Sequence, residues 1–352
     1  MSKRPVLAVT MGDPCGIGPE VVAKALSLPE MRGLCLPLVV GSADVFRATV
    51  AQLGLALDVR EVPGPEGVGR PAKAVAVLDP GNLHLEEIEA GKVSAAAGKA
   101  AMEWVELAAR LCLVNRAQAM VTGPVNKEAA ALAGYREIGH TELLQKLTGA
   151  PQVATMLVTG RLRVVHLTTH RSLRAACDAV TRDNILATLG LTHREFQRWG
   201  FPQPRIGVAA LNPHASDGGL MGDEEAREIA PAVEAARARG IDATGPVPAD
   251  IVFHQAIGGR YDVVLCMYHD QGHIPVKVHG FERSVSVNLG LPFVRTSVDH
   301  GTAFDIAGKG IAQAESMAEA IRLATALVNG HGLVASRQVA QARTPPGTGS
   351  LV

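Results

Sequence analysis

Short, continuously apolar runs alternate with longer helical patterns almost from one end of this chain to the other, and no other feature narrows the fold so far. The runs Val6–Thr10, Leu36–Val40, Val75–Leu78, Ala119–Thr122, Ala154–Val158, Arg163–Leu167, Ile206–Leu211 and Val263–Met267 predict strands. Helices are expected at Pro19–Leu28, Val93–Val114, Thr141–Leu147, Asp183–Trp199, Glu224–Arg239 and Ala314–Val328. Strands without polar alternation are buried on both faces, and an α/β fold achieves this by laying helices over parallel sheets. At 352 residues the length suits roughly two domains, with TGPVNK (122–127) as the passage into the second. PGPEGVGRP (63–71) reads as a surface loop and RTPPGTGSLV at the end as a frayed tail.

Composition removes several function classes. Apolar residues make up 47% and charged residues 19%, enough for a sizeable core and too few charges for global disorder. Lys+Arg and Asp+Glu are both 34 with no basic cluster, which argues against nucleic acid or an anionic membrane as partner. Cys15, Cys35, Cys112, Cys177 and Cys266 form no CxxC pair, as expected of reduced thiols in the cytoplasm. The start MSKRPVLAVTMGDP is too short in its apolar run for a signal peptide, and no window reaches membrane-spanning length.

Chemistry is concentrated in Tyr268–Gly310, where His, Asp, Lys and Arg lie between glycines and short apolar runs. Such polar density after a buried strand suits a ligand cleft. His170, His214 and His269 each come just after an apolar strand. Three imidazoles there could hold a divalent metal, or could be hydrogen-bonded loop residues; no local ligand spacing decides. The remaining histidines, such as His84, His193, His254 and His331, read as surface or packing residues. VTMGDPCGIGPE (9–20) runs strand, glycine loop, helix, with Pro19 suited to a first helical position. Its glycine spacing matches neither the dinucleotide fingerprint nor the P-loop, so a plain tight turn is an equal reading. GHTELL (139–144) places His140 beside Thr141, which is expected to cap the helix. Lys277 and Arg295 are cations inside apolar runs, a setting that calls for an anion or a surface ion pair.

Taken together, GDPCGIGPE (12–20), VTGPVNK (121–127), GHTE (139–142), THRSLR (169–174), LNPH (211–214), YHDQG (268–272) and GLPFVRTSVDHGTAFDIAG (290–308) resemble the 4-hydroxythreonine-4-phosphate dehydrogenase family of vitamin B6 biosynthesis. The resemblance covers about residues 5–330. It implies two α/β/α domains with a cleft between them, isocitrate/isopropylmalate dehydrogenase-like. Residues 1–125 plus 295–345 would form the first domain and 126–294 the second, with 346–352 a tail. It also implies a homodimer whose active site is shared across the interface.

By motif, His170, His214 and His269 would be metal ligands, the third reaching across from a partner, for zinc, magnesium or cobalt. His140, Thr141, Lys277 and Arg295 would contact a phosphorylated substrate, with Lys277 and His269 catalytic. The run HGTAFDIAGKGIA looks like a nucleotide-binding loop, so Gly290, His300, Gly301, Asp305 and Gly308 would meet NAD. The implied reaction is oxidation and decarboxylation of a phosphorylated four-carbon hydroxy acid.

Two departures bear on the substrate. Where the family pattern is V-N-x-T, this chain has Val285-Ser286-Val287-Asn288, and GHIPVK (272–277) is closer to the branch acting on 4-phospho-D-threonate and 4-phospho-D-erythronate. A diol dehydrogenase of aromatic degradation, a phosphate acyltransferase-like enzyme and a non-catalytic sensor are the alternatives.

Overall fold

The computed structural model describes residues 4–69, 74–137 and 139–330. Arg70 and Pro71 of the expected loop, His331, the segment 331–345 and the whole tail lie outside the described residues.

Twelve strands form one sheet: β1 Val6–Thr10, β2 Leu36–Val40, β3 Asp58–Glu61, β4 Ala74–Leu78, β5 Ala119–Thr122, β6 Ala154–Thr159, β7 Leu162–His166, β8 Ile206–Ala209, β9 Ala243–Val247, β10 Val263–Cys266, β11 Val285–Leu289 and β12 Val294–Val298. Their order is β3-β4-β2-β1-β5-β12-β11-β6-β7-β10-β8-β9. The run from β3 to β12 is parallel throughout, as is the run from β7 to β9. Between them β11 pairs antiparallel with both β12 and β6, and β6 pairs antiparallel with β7. The fold is α/β, with helices laid along the sheet.

All eight expected strands are present, with ends moved by a residue or two. Four strands were not anticipated, and each has a physical reason. β3 and β9 are the two sheet edges, where one side is open to solvent and no long apolar run is needed. β3 is mostly exposed, and β9 contains Pro246, which an edge tolerates. β11 (VSVNL) and β12 (VRTSV) are central, but their polar residues break the apolar pattern.

The Tyr268–Gly280 stretch, where no helix was expected, forms the helix His269–Gly280 with Pro275 inside it. The expected helix Glu224–Arg239 also differs. It opens with a π-helical turn, Glu225–Ile229, before the α-helix Ala230–Ala238, because Pro231 has no N–H to continue the ladder. No helix among the described residues is long and apolar enough to cross a membrane.

Candidate active site

Because β7, β10 and β8 are adjacent and parallel, the residues following them emerge at one edge of the sheet. His170 and His269 meet there, their ring centroids 5.9 Å apart. His269 opens its helix and stacks on His273 one turn later, with centroids 3.5 Å apart and planes 11° from parallel. The backbone carbonyl of His269 lies 3.1 Å from His273 Nδ1. His273 in turn packs on His166 at 4.6 Å, and the buried Nε2 of His166 has no hydrogen-bond partner. Burial pushes His166 down to about 3, helped by His273 beside it, and burial also lowers His170. Both rings are therefore neutral at physiological pH, the form that offers a lone pair to a metal.

His214 does not join them. It lies on Pro213–Gly219, where residues 214–218 all have positive φ, and its side chain is 69% exposed beside Asp217. The buried carboxylate of Glu225 fastens this segment, accepting from the N–H groups of Leu211 and Asn212 and from Ser216 Oγ. Among the described residues no three His, Cys, Asp or Glu side chains converge closely enough to hold an ion. One chain brings together two of the three expected ligands.

A second group forms on the face shared by β11, β12 and β5. Arg295 is 3% exposed, and no carboxylate among the described residues reaches ion-pair distance of it. Its Nε and Nη2 donate to Thr122 Oγ1 at 3.1 and 2.6 Å, and Nη1 donates to Asn288 Oδ1 at 2.7 Å. The Asn288 amide then donates to Thr141 Oγ1 at 3.2 Å. Thr141 is thus not the helix cap expected from its sequence; Gly139 takes that position and His140 begins the helix His140–Thr148. Glycine at the cap offers the first N–H groups no side-chain acceptor, and the Thr141 hydroxyl, one residue into the helix, faces Asn288 instead. His140 lies beside them with its Nε2 shielded and unpartnered, and burial drives its pKa well down, with Arg295 and Lys127 adding to the effect. Lys127 also acts on His170, so it lies between the two groups; nothing in VTGPVNK singled it out.

Lys277 sits two turns after His269 on the same helix. Its ammonium meets Asp299 Oδ2 at 2.8 Å, the Asp299 carbonyl at 2.6 Å and Ser284 Oγ at 3.3 Å, with the Phe281 ring 4.7 Å away. His300 follows Asp299 and has a buried, unpartnered Nε2. Gly301, Asp305 and Gly308 lie on the turn-rich segment beyond it; Asp305 is exposed, and a side chain at Gly301 would meet open space. Gly290 is elsewhere. It makes the turn between β11 and β12, at the far end of β12 from His300, with φ +91° and no room for a Cβ against the Gln152 carbonyl. That glycine is required by the turn itself. Two cavities of about 470 and 550 Å³ lie apart from all these residues, around Lys24 and Arg322 and around Arg4 and Asn329.

The glycine loop after β1 supports the 300–310 segment, with Ile17 N–H donating to the Thr302 carbonyl at 2.9 Å. Asp13 in this loop is fully buried; one carboxyl oxygen accepts from Cys15 N–H at 2.8 Å and the other has no partner. Burial raises its pKa from 3.8 to about 6. The folded state therefore holds a proton that the unfolded chain releases, and the associated stability is lost as pH rises from about 4 through about 6. At 1.36 kcal/mol per unit the loss is on the order of 3 kcal/mol. Asp13→Asn is expected to flatten this dependence and to be the more stable protein at pH 7.5. Urea midpoints for both proteins at pH 4.5 and 7.5 check it, and parallel curves would contradict it.

Comparison with known proteins places this arrangement. The family model described as pyridoxal phosphate biosynthetic protein PdxA matches residues 33–324. A 4-hydroxythreonine-4-phosphate dehydrogenase of Geobacter metallireducens is 47% identical over 94% of this chain and 98% of that protein. A D-threonate 4-phosphate dehydrogenase of Cupriavidus necator is 48% identical over 90% of this chain and 96% of that protein. The crystal structure of a 4-hydroxythreonine-4-phosphate dehydrogenase from Klebsiella pneumoniae superposes with a TM-score of 0.86 at 44% identity, covering 92% of this chain and 99% of that one. The chain belongs to the pyridoxal phosphate biosynthetic protein PdxA family, whose relatives here are dehydrogenases.

Proposed function

We propose that this protein oxidises the secondary alcohol of a phosphorylated four-carbon hydroxy acid with NAD, and that the resulting β-keto acid loses carbon dioxide. The observation that carries this reading is the buried Arg295, a guanidinium with only neutral oxygens around it, flanked by the unpartnered His140 Nε2. A desolvated cation with no carboxylate in contact, and Glu142 acting on it only from beyond ion-pair distance, favours an anionic ligand such as phosphate. Arg295, His140 and Thr141 orient that group. Lys277, already committed to Asp299 and Ser284, acts as a fixed cation near the reacting carbon rather than as a mobile proton carrier.

His170 and His269 suit a divalent ion, and a second copy of the chain supplies the missing donor from the exposed His214 segment, in place of the His269 that the resemblance had crossing from the partner. When bound, the ion supplies Lewis acidity toward the alcohol oxygen. Exposed Leu220, Ile274, Val278 and Phe281 give the site's surroundings an apolar surface for that second copy. The turn around Gly301 and Gly308 would hold NAD, which would supply the hydride acceptor, and exposed Asp305 would select for a ribose 2′-hydroxyl, since a carboxylate accepts from a 2′-hydroxyl and repels a 2′-phosphate. Within the described residues, 4–125 with 295–330, and 126–294, act as the two walls of the cleft.

4-Hydroxythreonine 4-phosphate is the first substrate to test. Ser286 and His273 favour 4-phospho-D-threonate as the second, since both are departures from the vitamin B6 pattern. Nicotinamide absorbance with NAD or NADP, against both compounds and a phosphate-free diol acid, tests the assignment. Turnover is expected with a phosphorylated acid, with release of one carbon dioxide per NADH and at least about a tenfold preference for NAD. Equal turnover of the phosphate-free acid would overturn it.

A further inference from the structure

We infer that Asn288 is a positioning residue that keeps Arg295 available as a bare cation for the substrate's anionic group. This rests on the reading of Arg295 as an anion site. Asn288 is 2% exposed, and both ends of its amide are engaged, the oxygen by Arg295 Nη1 at 2.7 Å and the nitrogen by Thr141 Oγ1 at 3.2 Å. It is one step beyond the Val287–Thr296 pair, so its side chain faces that of Arg295 across the β11–β12 ladder. Ser286 and Asn288 are two residues apart and share a face of β11. A serine at 286 is too short to bridge to Thr141 across the space the amide fills, and no bond from Ser286 to either Arg295 or Thr141 is formed among the described residues.

The choice of an amide has a chemical meaning. An arginine fork this deeply buried is ordinarily steadied by a carboxylate, which would also neutralise it. The side chains in contact with it, Asn288 and Thr122, offer dipoles alone, and the Glu142 carboxylate acts from beyond ion-pair distance. The guanidinium keeps its full charge and two of its five N–H donors unspent. Asn288 also couples Arg295 to Thr141, so the cation and the helix start that carries His140 are held at a set spacing.

The isosteric Asn288→Asp separates this role from a merely structural one. An aspartate retains the bond to Arg295 but puts a carboxylate in direct contact with it. Thermal midpoints with and without inorganic phosphate, together with KM and kcat, are to be measured for the native protein, Asn288→Asp and Arg295→Met. Asn288→Asp is expected to be at least as stable as the native protein without phosphate, and to lose most of the phosphate-induced shift. Its KM should rise by about ten- to a hundredfold, the scale of one charge-assisted contact, with kcat changed much less. A phosphate shift retained in Asn288→Asp but lost in Arg295→Met would refute the role of Asn288 and leave the anion site standing. A shift retained in Arg295→Met would refute the anion site itself.

Discussion

Arg295→Met is expected to lower kcat/KM for the phosphorylated substrate by about three orders of magnitude while leaving the folded protein as stable as before. Two lost charge-assisted contacts of roughly 1.5–3 kcal/mol each account for the activity. Stability follows a different sum. Burial pulls the Arg295 pKa down from 12.5 to about 9, so the folded state disfavours the charged form. That penalty is fully present at neutral pH and is relieved only as pH rises from about 9 toward 12.5. It is on the order of 5 kcal/mol, and methionine removes it. Against this, Thr122 and Asn288 each lose a donor, which costs about 1–3 kcal/mol apiece. The two sides nearly cancel. Unfolding midpoints and steady-state kinetics on the same preparations check both halves; a strongly destabilised variant would mean that Arg295 is structural.

The second large effect concerns the histidines. His269→Ala and His214→Ala are each expected to be inactive, and an equimolar mixture, unfolded and refolded together, to recover part of the native activity. In a heterodimer one site inherits both defects and the other inherits none, whichever histidine crosses the interface. Each single variant should also bind less zinc at equilibrium dialysis, whereas the mixture should regain about half of the heterodimer's sites. Full activity in either variant after chelation would end the metal assignment. Failure of the mixture to recover would count against sharing between chains.

Much of the fold was legible because buried parallel strands carry their signal in four or five consecutive apolar residues, as in Val6–Thr10 and Leu36–Val40. The signal failed where strands do something else. β11 and β12 present Ser286, Asn288, Arg295 and Ser297 on one face, and β3 and β9 close the sheet at its edges. The helix His269–Gly280 was hidden by Gly272 and Pro275, both poor helix formers, although its i, i+4, i+8 spacing of His269, His273 and Lys277 is plain once known. The sequence singled out residues whose type is unusual for their setting, such as a cation in an apolar run. Asn288, Lys127, His166 and His273 escaped because their roles lie in contacts between distant segments.

The antiparallel strands at the middle of the sheet have a mechanical consequence. β11 hydrogen-bonds on both sides, to β12 and to β6, and thereby ties the two parallel runs together through backbone. Two runs joined this way are not connected by a slack linker. Any relative movement of the two runs has to twist this shared sheet. Asn288 and Arg295 stand on these central strands, fixed to each other across the β11–β12 pair, so the guanidinium is held by the most continuous part of the sheet.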